Sequence, residues 1–374
     1  MIYLDNCSTT HYKPKCVIKA IINGNKKYNY NSGRSGYKKA IECGIKVYNL
    51  RQNAISFFNA PENSNVIITK SCTESLNLAL RSNIKKNGHI VSTIFEHNSV
   101  LRTLDYLNKE YGITYTLATP QNKQFITAKD IETCIKDNTY MIITNHTSNV
   151  TGCVCDIENI GYLCKNKNLI YVVDSAQSAG HIDINISKMN INYLAVAGHK
   201  GLHGPQGIGL LLCNNIYPKP LIMGGTGTFS ESLTQPTDLP EGIESGTLSM
   251  ANILGLDAAI DYTRKHYQKH HKKICKLTKY FISELEKNPK VVLYSTPTTS
   301  GVVSFTIDGY TSNEIVQILD QHSIYIRGGL HCAPKVHEYY HTIDIGMCRV
   351  GIDFRNNIWQ LNQFIKIIKS ISNN

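Results

Sequence analysis

Residues 169–180 read LIYVVDSAQSAG, and this stretch indicates the class of fold. It opens with a short apolar run that is typical of a strand buried on both faces of a sheet. The run ends on Asp174, where an uncompensated carboxylate would be costly to bury. Asp174 therefore needs a partner, which is either the N-terminus of a following helix that it caps or a cationic group.

The same kind of strand recurs along the first two thirds of the chain. Between most of these strands lie segments with helical periodicity, such as residues 74–86 and 126–137. This alternation predicts an α/β domain with a mostly parallel sheet, whose active residues gather at the carboxyl ends of the strands. The other predicted strands are NVIIT (65–69), HIVST (89–93), YMIITN (140–145), YLAVAG (193–198) and GIGLLLC (207–213).

The pattern changes near residue 251, after a loop at 214–250 that is rich in Gly, Pro, Thr and Ser. A long predicted helix, residues 251–287, is followed by a smaller α+β region. A chain of 374 residues is long enough for two lobes. We predict a large domain at 13–255 and a small C-terminal domain at 256–374, with residues 1–12 joining the small domain.

Composition and cysteine content narrow the class of protein. The chain is 42% hydrophobic and 18% charged, as in ordinary globular proteins, and no apolar run reaches the length of a transmembrane helix. The start, MIYLDNCSTT, lacks the pattern of a secretory signal. The 12 scattered cysteines are therefore expected to be free thiols in the cytoplasm. The CVC at 153–155 lacks the second pair that a zinc ribbon needs.

The chain carries a formal net charge of +11, and its densest basic stretch lies at 264–279. This stretch is interpreted as the solvated face of a long helix. An acidic protein partner or nucleic acid is the alternative, but we expect no nucleic-acid function and no membrane association.

Lys200 lies in AVAGHKGLHGPQGIGLLLC (195–213), after another predicted strand and among glycines. Most lysines at a strand end lie on the surface, but one surrounded by glycines that admit a ligand can form a Schiff base. A strand-end Asp and a strand-end Lys are what pyridoxal 5′-phosphate requires, because Asp174 would keep the pyridine nitrogen protonated and Lys200 would hold the aldehyde.

A phosphate group needs amide donors at a helix start, and TKSCTESLNLAL (69–80) supplies one. Ser71 and Glu74 fit a capping box. Thr73 and the neighbouring amides would clamp the phosphate, and the two interpretations are compatible.

Ten segments, in order from one end of the chain nearly to the other, resemble the cysteine desulfurase family of class V aminotransferase fold. The resemblance implies the type I fold of pyridoxal-phosphate-dependent transferases, with a large domain and a smaller α+β C-terminal domain. The segments are YLDNCSTT (3–10), NYNSGRSGY (29–37), CTESLNLAL (72–80), FEHNSV (95–100), TSNVTG (147–152), VDSAQSAG (173–180), GHKGLHGPQGIG (198–209), ESGTLSM (244–250), RGGLHCAP (327–334) and CRVGIDF (348–354).

The resemblance implies a role for each matching residue around the cofactor ring. Lys200 corresponds to the Schiff-base lysine, which also moves protons on the substrate, and Asp174 to the partner of the pyridine nitrogen. Gln177 would bond the phenolic oxygen of the cofactor, His97 would stack on its ring and act in catalysis, and Asn149 would lie beside ring and substrate. Without the resemblance, His97 would be interpreted as structural and Asn149 as a turn residue.

The resemblance also implies the contacts at the phosphate. Thr73 and His199 would hold it, and Thr247 would reach the phosphate of a neighbouring subunit, which implies a homodimer. The family often has Ser where this chain has Ala197, so one hydroxyl contact to the phosphate is missing.

At the substrate, the resemblance implies that Arg349 grips the carboxylate of L-cysteine, with Asn149 and Arg327 nearby. A guanidinium suits this role because it can bind a carboxylate through two hydrogen bonds.

Cys332 lies in IRGGLHCAP (326–334) and admits three interpretations. It is an incidental thiol, a metal ligand together with His331, His337 and His341, or a nucleophile. As a nucleophile it would attack the sulfur of bound cysteine and become a persulfide, while alanine leaves. Arg327 and His331 would supply positive charge or a proton acceptor that favours the thiolate.

The resemblance predicts an enzyme that converts L-cysteine to L-alanine and passes sulfur to an acceptor protein, for iron–sulfur cluster assembly, tRNA thiolation or a cofactor. A selenocysteine lyase would use the same site. An aminotransferase or a kynureninase-like enzyme would share the cofactor but needs no loop thiol. A sulfur-trafficking scaffold would bind the cofactor and turn over poorly.

Overall fold

The computed structural model describes residues 1–32, 35–121, 125–296 and 300–372. Residues 33 and 34 of the NYNSGRSGY segment lie outside the described residues. The strands are β1 (Ile2–Tyr3), β2 (Asn65–Thr69), β3 (His89–Thr93), β4 (Thr114–Ala118), β5 (Thr139–Asn145), β6 (Ile170–Asp174), β7 (Tyr193–Ala197), β8 (Gly209–Cys213), β9 (Val291–Leu293), β10 (Val302–Ile307), β11 (Ile324–Tyr325) and β12 (Cys348–Gly351). The helices are α1 (Lys15–Lys27), α2 (Lys38–Phe57), α3 (Cys72–Ser82), α4 (Asn98–Tyr111), α5 (Ala128–Glu132), α6 (Ile157–Asn166), α7 (Met250–Leu285), α8 (Ser312–Gln321), α9 (Pro334–Tyr339) and α10 (Ile358–Ser372).

The main sheet has seven strands in the order β2-β8-β7-β6-β5-β3-β4. Strands β4, β3, β5, β6 and β7 pair in parallel, and β8 runs antiparallel to both of its neighbours. The predicted α/β class with a mostly parallel sheet is confirmed.

Both faces of this sheet are covered, which explains why its strands are almost uniformly apolar. Successive residues of a strand point to opposite faces. Val173 accordingly packs into one core cluster and its neighbour Val172 into a second, and Leu210 and Leu211 divide between the clusters in the same way.

The carboxyl ends of the parallel strands meet at one edge of the sheet. Asn145, the last residue of β5, is the register partner of Asp174, the last residue of β6. Asp174 in turn pairs with Ala195, two residues before the end of β7. Lys200 therefore follows its strand at the same edge as Asp174.

A second set of strands comes from the two ends of the chain. Strands β12, β10 and β9 form a three-stranded antiparallel sheet, and β1 pairs in parallel with β11. Ile2 and Leu4 lie in the core formed with residues of the C-terminal region, such as Phe305 and Phe364.

Helix α7 contributes to two cores. Ile253 and Leu256 pack in the first cluster under the main sheet, whereas Leu277 and Phe281 pack in the core of the second set of strands. The helix runs unbroken through the predicted boundary between residues 255 and 256. The division into two domains stays a prediction.

Among the described residues, no helix is long and apolar enough to cross a membrane.

Gly209 fixes the distance between β8 and the start of α3. A Cβ placed there would lie 2.6 Å from the carbonyl carbon of Ser71 and 2.9 Å from the amide nitrogen of Cys72. Both contacts are to main-chain atoms, so the start of α3 would have to move to admit a methyl group.

We therefore predict that Gly209→Ala lowers the free energy of unfolding by about 2 kcal/mol, the usual effect of overpacking. The control is Gly36→Ala, since no atom of the described residues lies within 4 Å of a Cβ placed at Gly36. Urea denaturation of both variants measures the effect. Equal stability of the two variants would contradict this close approach of β8 and α3.

Candidate active site

A cavity lies at the carboxyl edge of the main sheet, and its wall is built mostly by the residues that follow the parallel strands. It brings together residues that are far apart in the sequence, as the sheet topology requires. The predicted site residues that line it are Thr73, His97, Asn149, Asp174, Gln177, His199 and Lys200.

Asp174 is buried at the base of this cavity. Its Oδ1 accepts a hydrogen bond from the main-chain N–H of Ala176 at 2.8 Å and from the thiol of Cys72 at 3.5 Å. The segment between β6 and β7 contains turns and no α-helix, so the alternative in which Asp174 caps a helix is wrong. The carboxylate instead stabilises a tight turn and faces the cavity.

Lys200 reaches the cavity from the turn after β7. Burial lowers the pKa of its amine, although the charge of Asp174 acts in the opposite direction. In the described part of the chain, no hydrogen-bond partner of its Nζ is recorded. A lysine of lowered pKa is a better nucleophile than a surface lysine, because more of it is the neutral amine.

Helix α3 begins at the cavity wall, and the first N–H groups of a helix have no acceptor within the helix. The side chain of Ser71 caps the helix by accepting from the N–H of Glu74 at 3.2 Å. The Glu74 carboxylate accepts from the N–H of Lys70 rather than from that of Ser71, so only half of the predicted capping box forms. No acceptor for the N–H of Cys72 or Thr73 is recorded among the described residues, which suits an anion at this helix start.

Two histidines in the cavity are neutral at physiological pH. The pKa of His97 lies at about 4 because the ring is buried, and its Nδ1 accepts from the N–H of Ser99 at 3.1 Å. The pKa of His199 also lies at about 4, through burial and the nearby Lys200, and its Nδ1 lies 3.0 Å from Oγ1 of Thr9. Neutral rings can stack on a flat ligand or share hydrogen bonds without adding charge.

The two predicted amides are held by main-chain carbonyls. Gln177 donates through Nε2 to the carbonyl of Cys7 at 3.0 Å, and Asn149 donates through Nδ2 to the carbonyl of His331 at 2.7 Å. The Oδ1 of Asn149 is buried, and no partner is recorded for it among the described residues. It is available as an acceptor for a ligand.

Arg349 comes from strand β12, and only 2% of it is exposed. Its guanidinium lies 3.2 Å from Oδ1 of Asp5, and it donates to Oγ of Ser8 at 2.8 Å and to the carbonyl of Asn149 at 2.9 Å. Its Nε is buried without a recorded partner among the described residues. A further anionic group could therefore bind at this arginine.

Cys332 lies outside the cavity lining, in a groove that shares Thr73 and His97 with the cavity. The thiol is partly exposed, and Arg327 Nη2 lies 4.0 Å from its sulfur. The carbonyl of Cys332 accepts from the N–H of Asn98 at 2.7 Å, which fixes the loop against the start of α4.

His331 does not supply positive charge to the thiol. It is buried, its Nε2 lies 2.9 Å from the carbonyl of Met347, and burial holds its pKa well below the usual range. His337 is also buried and bonds Thr342 through Nδ1, whereas His341 is exposed. In the described part of the chain, no group of three or more His, Cys, Asp and Glu is arranged to hold a metal.

Thr247 is not brought into this cavity. It is exposed in the loop before α7, where it lines a separate pocket with Lys70 and Glu74. Its predicted contact with the phosphate of a neighbouring subunit stays a prediction.

Four further residues contribute to the site or lie next to it, and the sequence alone did not indicate them. Asp5 and Ser8 hold Arg349, and Cys72 contacts Asp174. Glu96 is buried next to His97, and burial raises its pKa to about 8, so its carboxyl is largely protonated at neutral pH. All four lie inside the quoted motifs, but nothing in the sequence showed which side chains they would touch.

A buried pair anchors the turn that carries Lys200. Nε2 of His203 lies 3.3 Å from Oδ2 of Asp353, and Nδ1 of His203 lies 3.2 Å from the carbonyl of Tyr12. Both ring nitrogens thus face oxygen atoms from distant parts of the chain. Burial acts to raise the pKa of Asp353, but His203, the N–H of Arg355 and His181 together outweigh it and hold that pKa below the ordinary value.

Comparison with known proteins places relatives along the whole chain. The sequence model of the aminotransferase class-V family matches residues 2–364. A probable cysteine desulfurase of Pyrococcus abyssi is 31% identical over 99% of this chain and 94% of its own. Another from Borreliella burgdorferi is 31% identical over 100% of this chain and 93% of its own. The solved apo structure of a cysteine desulfurase from Thermococcus onnurineus is 29% identical, with a TM-score of 0.90 over 100% of this chain and 94% of its own.

We predict that Asp353→Asn destabilises the protein by about 2 kcal/mol at pH 7, because it removes the buried carboxylate that accepts from the N–H of Arg355 and lies 3.3 Å from Nε2 of His203. Since the folded pKa of Asp353 is lowered, its contribution is present above the unfolded pKa of about 3.9 and is lost as pH falls through the folded value. The gap between parent and variant should therefore close below about pH 4.

Urea unfolding between pH 3 and pH 8 measures this gap. The exposed Asp320→Asn is the control and should follow the parent at every pH. A gap that is constant over the whole range would show that the carboxylate charge of Asp353 is not what stabilises the turn.

Proposed function

The chain belongs to the class-V aminotransferase family and, within it, to the cysteine desulfurases, and from this premise we propose how it takes sulfur from L-cysteine. The protein is an enzyme that releases L-alanine and keeps the sulfur as a persulfide on Cys332. The observation that carries the proposal is the position of Cys332, in a groove that shares Thr73, His97 and Ser99 with the cavity holding Lys200 and Asp174.

The cavity suits pyridoxal 5′-phosphate, which when bound supplies an electron sink that stabilises negative charge on the substrate carbon. Lys200 would hold its aldehyde, Asp174 its pyridine nitrogen and Gln177 its phenolic oxygen. The unpartnered amides at the start of α3 would bind the phosphate with Thr73 and His199.

Ala197 is buried and lines this cavity, so this position offers no hydroxyl to the phosphate. The amides of α3, Thr73 and His199 remain to bind it. We propose that they are sufficient, because charged acceptors make strong hydrogen bonds to amides at a helix start.

Arg349 orients the substrate. The guanidinium is preorganised by Asp5 and Ser8, and its free Nε faces no competing acceptor among the described residues. A substrate carboxylate bound there would place the amino end near Lys200 and the Oδ1 of Asn149. Arg327 would stabilise the thiolate of Cys332, since it lies 4.0 Å from the sulfur.

Lys200 is the residue that moves protons. Burial lowers the pKa of its amine, which favours its use as a base that removes a proton from the substrate and returns it to the product. His97 lies over the same cavity as a neutral ring, where it can stack on a flat ligand and take part in proton transfer.

The thiolate of Cys332 attacks the sulfur of the bound cysteine. A sulfur–sulfur bond forms as the bond between that sulfur and the substrate Cβ breaks, and the bonding pair stays on the carbon skeleton. Protonation of that carbon gives alanine, so the step needs no external oxidant or reductant. The outer sulfur of the persulfide then passes to an acceptor protein.

We propose that the enzyme acts as a homodimer in which Thr247 completes the phosphate site of the partner.

We predict that purified protein supplied with pyridoxal 5′-phosphate is yellow and that Lys200→Ala abolishes this colour, because the covalent attachment is lost. Absorption spectra of the two proteins measure this. Lys109→Ala is the control, since that lysine is exposed and lies on α4 outside the cavity. A Lys200→Ala protein with the colour of the parent would show that this lysine does not hold the cofactor.

We predict that the Cys332→Ala variant keeps the colour. Its rate of sulfide release from L-cysteine should fall by about 100-fold or more, as expected when a nucleophile is lost. Cys16→Ala is the matched control, since that thiol is exposed and free. Sulfide and alanine are both measured. If Cys332→Ala desulfurises cysteine at the rate of the parent, the persulfide mechanism is wrong.

A further inference from the structure

The groove that Cys332 lines lies beside the cavity and shares Thr73, His97 and Ser99 with it. It runs between helices α3 and α4, and we call it the α3–α4 groove. Its lining residues are Thr73, Asn77, Arg81, His97, Asn98, Ser99, Arg102, Thr103, Tyr106 and Cys332.

The sequence spacing makes this groove one continuous surface. Thr73, Asn77 and Arg81 are four residues apart on α3, so they lie along one face of that helix. On α4, Ser99, Arg102 and Tyr106 do the same at intervals of three and four. From Thr73 to Arg81 the groove extends for about 12 Å at the rise of an α-helix.

Polar contacts at the floor of the groove link the two helices. The hydroxyl of Thr103 on α4 lies 3.2 Å from Oδ1 of Asn77 on α3 and 2.8 Å from the carbonyl of Ser99. Within α3, Asn77 donates through Nδ2 to the carbonyl of Thr73 at 3.0 Å. The inner end is fixed as well, since the carbonyl of Cys332 is held by the N–H of Asn98. The groove is therefore a built surface beside the thiol.

The charge of the groove has one sign. It contains two guanidinium groups, Arg81 and Arg102, and none of its ten lining residues is Asp or Glu. Within the described residues, neither arginine forms an ion pair. Arg81 is positioned by stacking over the ring of Tyr106, with 5.0 Å from the guanidinium carbon to the ring centroid.

We propose that the α3–α4 groove binds an acidic segment of the protein that accepts the sulfur, and so guides the accepting cysteine to Cys332. The inference rests on the proposed function of Cys332. Arginine is suited to this partner because its planar group binds carboxylates through two parallel hydrogen bonds. A groove of this length exceeds what a single amino acid such as cysteine would fill, whereas an extended peptide of four residues would span it.

Docking in the groove would serve the transfer of the outer sulfur from Cys332 to the acceptor, a thiol–disulfide exchange that conserves atoms and electrons. The thiolate of the acceptor attacks the outer sulfur of the persulfide on Cys332. A new sulfur–sulfur bond forms on the acceptor, the bond to Cys332 breaks, and Cys332 leaves as a thiolate. The proton of the accepting thiol ends on Cys332, and no other reagent is consumed.

The test uses enzyme loaded with sulfur from L-cysteine and then freed of small molecules. Two synthetic peptides of equal length each contain one cysteine, flanked by glutamates in one and by glutamines in the other. The rate at which each peptide removes the persulfide from the parent, from Arg81→Gln/Arg102→Gln and from Lys272→Gln/Lys276→Gln is followed by mass spectrometry. The last variant removes the same charge from exposed lysines of α7, far from the groove in the sequence.

At low ionic strength we expect the glutamate peptide to react about tenfold faster than the glutamine peptide with the parent, as two ion pairs would provide. The ratio should fall to near one in the arginine variant, stay at the parent value in the lysine variant, and decline with added salt. Both peptides react with the same preparation, so a general loss of activity cancels from the ratio.

A ratio near one in the parent, or one that survives in the arginine variant, would overturn the proposal. So would mercaptosuccinate reacting as fast as the glutamate peptide, since this result would indicate a small anionic thiol as acceptor. If no persulfide forms on Cys332 during loading, the proposed function itself fails. This outcome is distinct from an enzyme that forms the persulfide but reacts equally fast with both peptides.

Discussion

The site depends on the ion pair and hydrogen bonds of the buried Arg349 guanidinium. It belongs to strand β12, yet it binds Asp5 and Ser8 near the N-terminus and the carbonyl of Asn149 after β5. A buried charge is tolerated only while it is paired, and removal of a partner costs several kcal/mol. Movement of any of these three segments would leave the charge uncompensated, so the second set of strands is held against the edge of the main sheet.

Burial also decides how the site is charged. His97 and His199 are neutral at physiological pH, the pKa of Lys200 is lowered, and Glu96 is largely protonated because its pKa lies at about 8. The cavity therefore contains groups that can exchange protons rather than store charge. Permanent positive charge lies beside it, on Arg349 and along the wall of the α3–α4 groove, where anionic groups of substrate and partner would bind.

Much of the fold follows from short patterns in the sequence. The segments 65–69 and 89–93 are strands with the predicted bounds, and the helix predicted at 251–287 extends from Met250 to Leu285. These elements were predictable because their composition reflects burial on both faces of the sheet or on one face of a helix. Asp174 was harder, because an Asp that caps a helix and an Asp that stabilises a turn have the same local sequence.

Local sequence patterns were enough to predict the buried strands that precede Asp174 and Lys200, the long helix and the resemblance to a known family. Which of these groups meet, and how they are protonated, depends on the tertiary structure. Thr73 and Lys200 line one cavity because the sheet brings α3 and the end of β7 together. The pKa values and the contacts of these residues depend on burial and on neighbours from distant parts of the chain. Local sequence encodes neither the burial nor the neighbours.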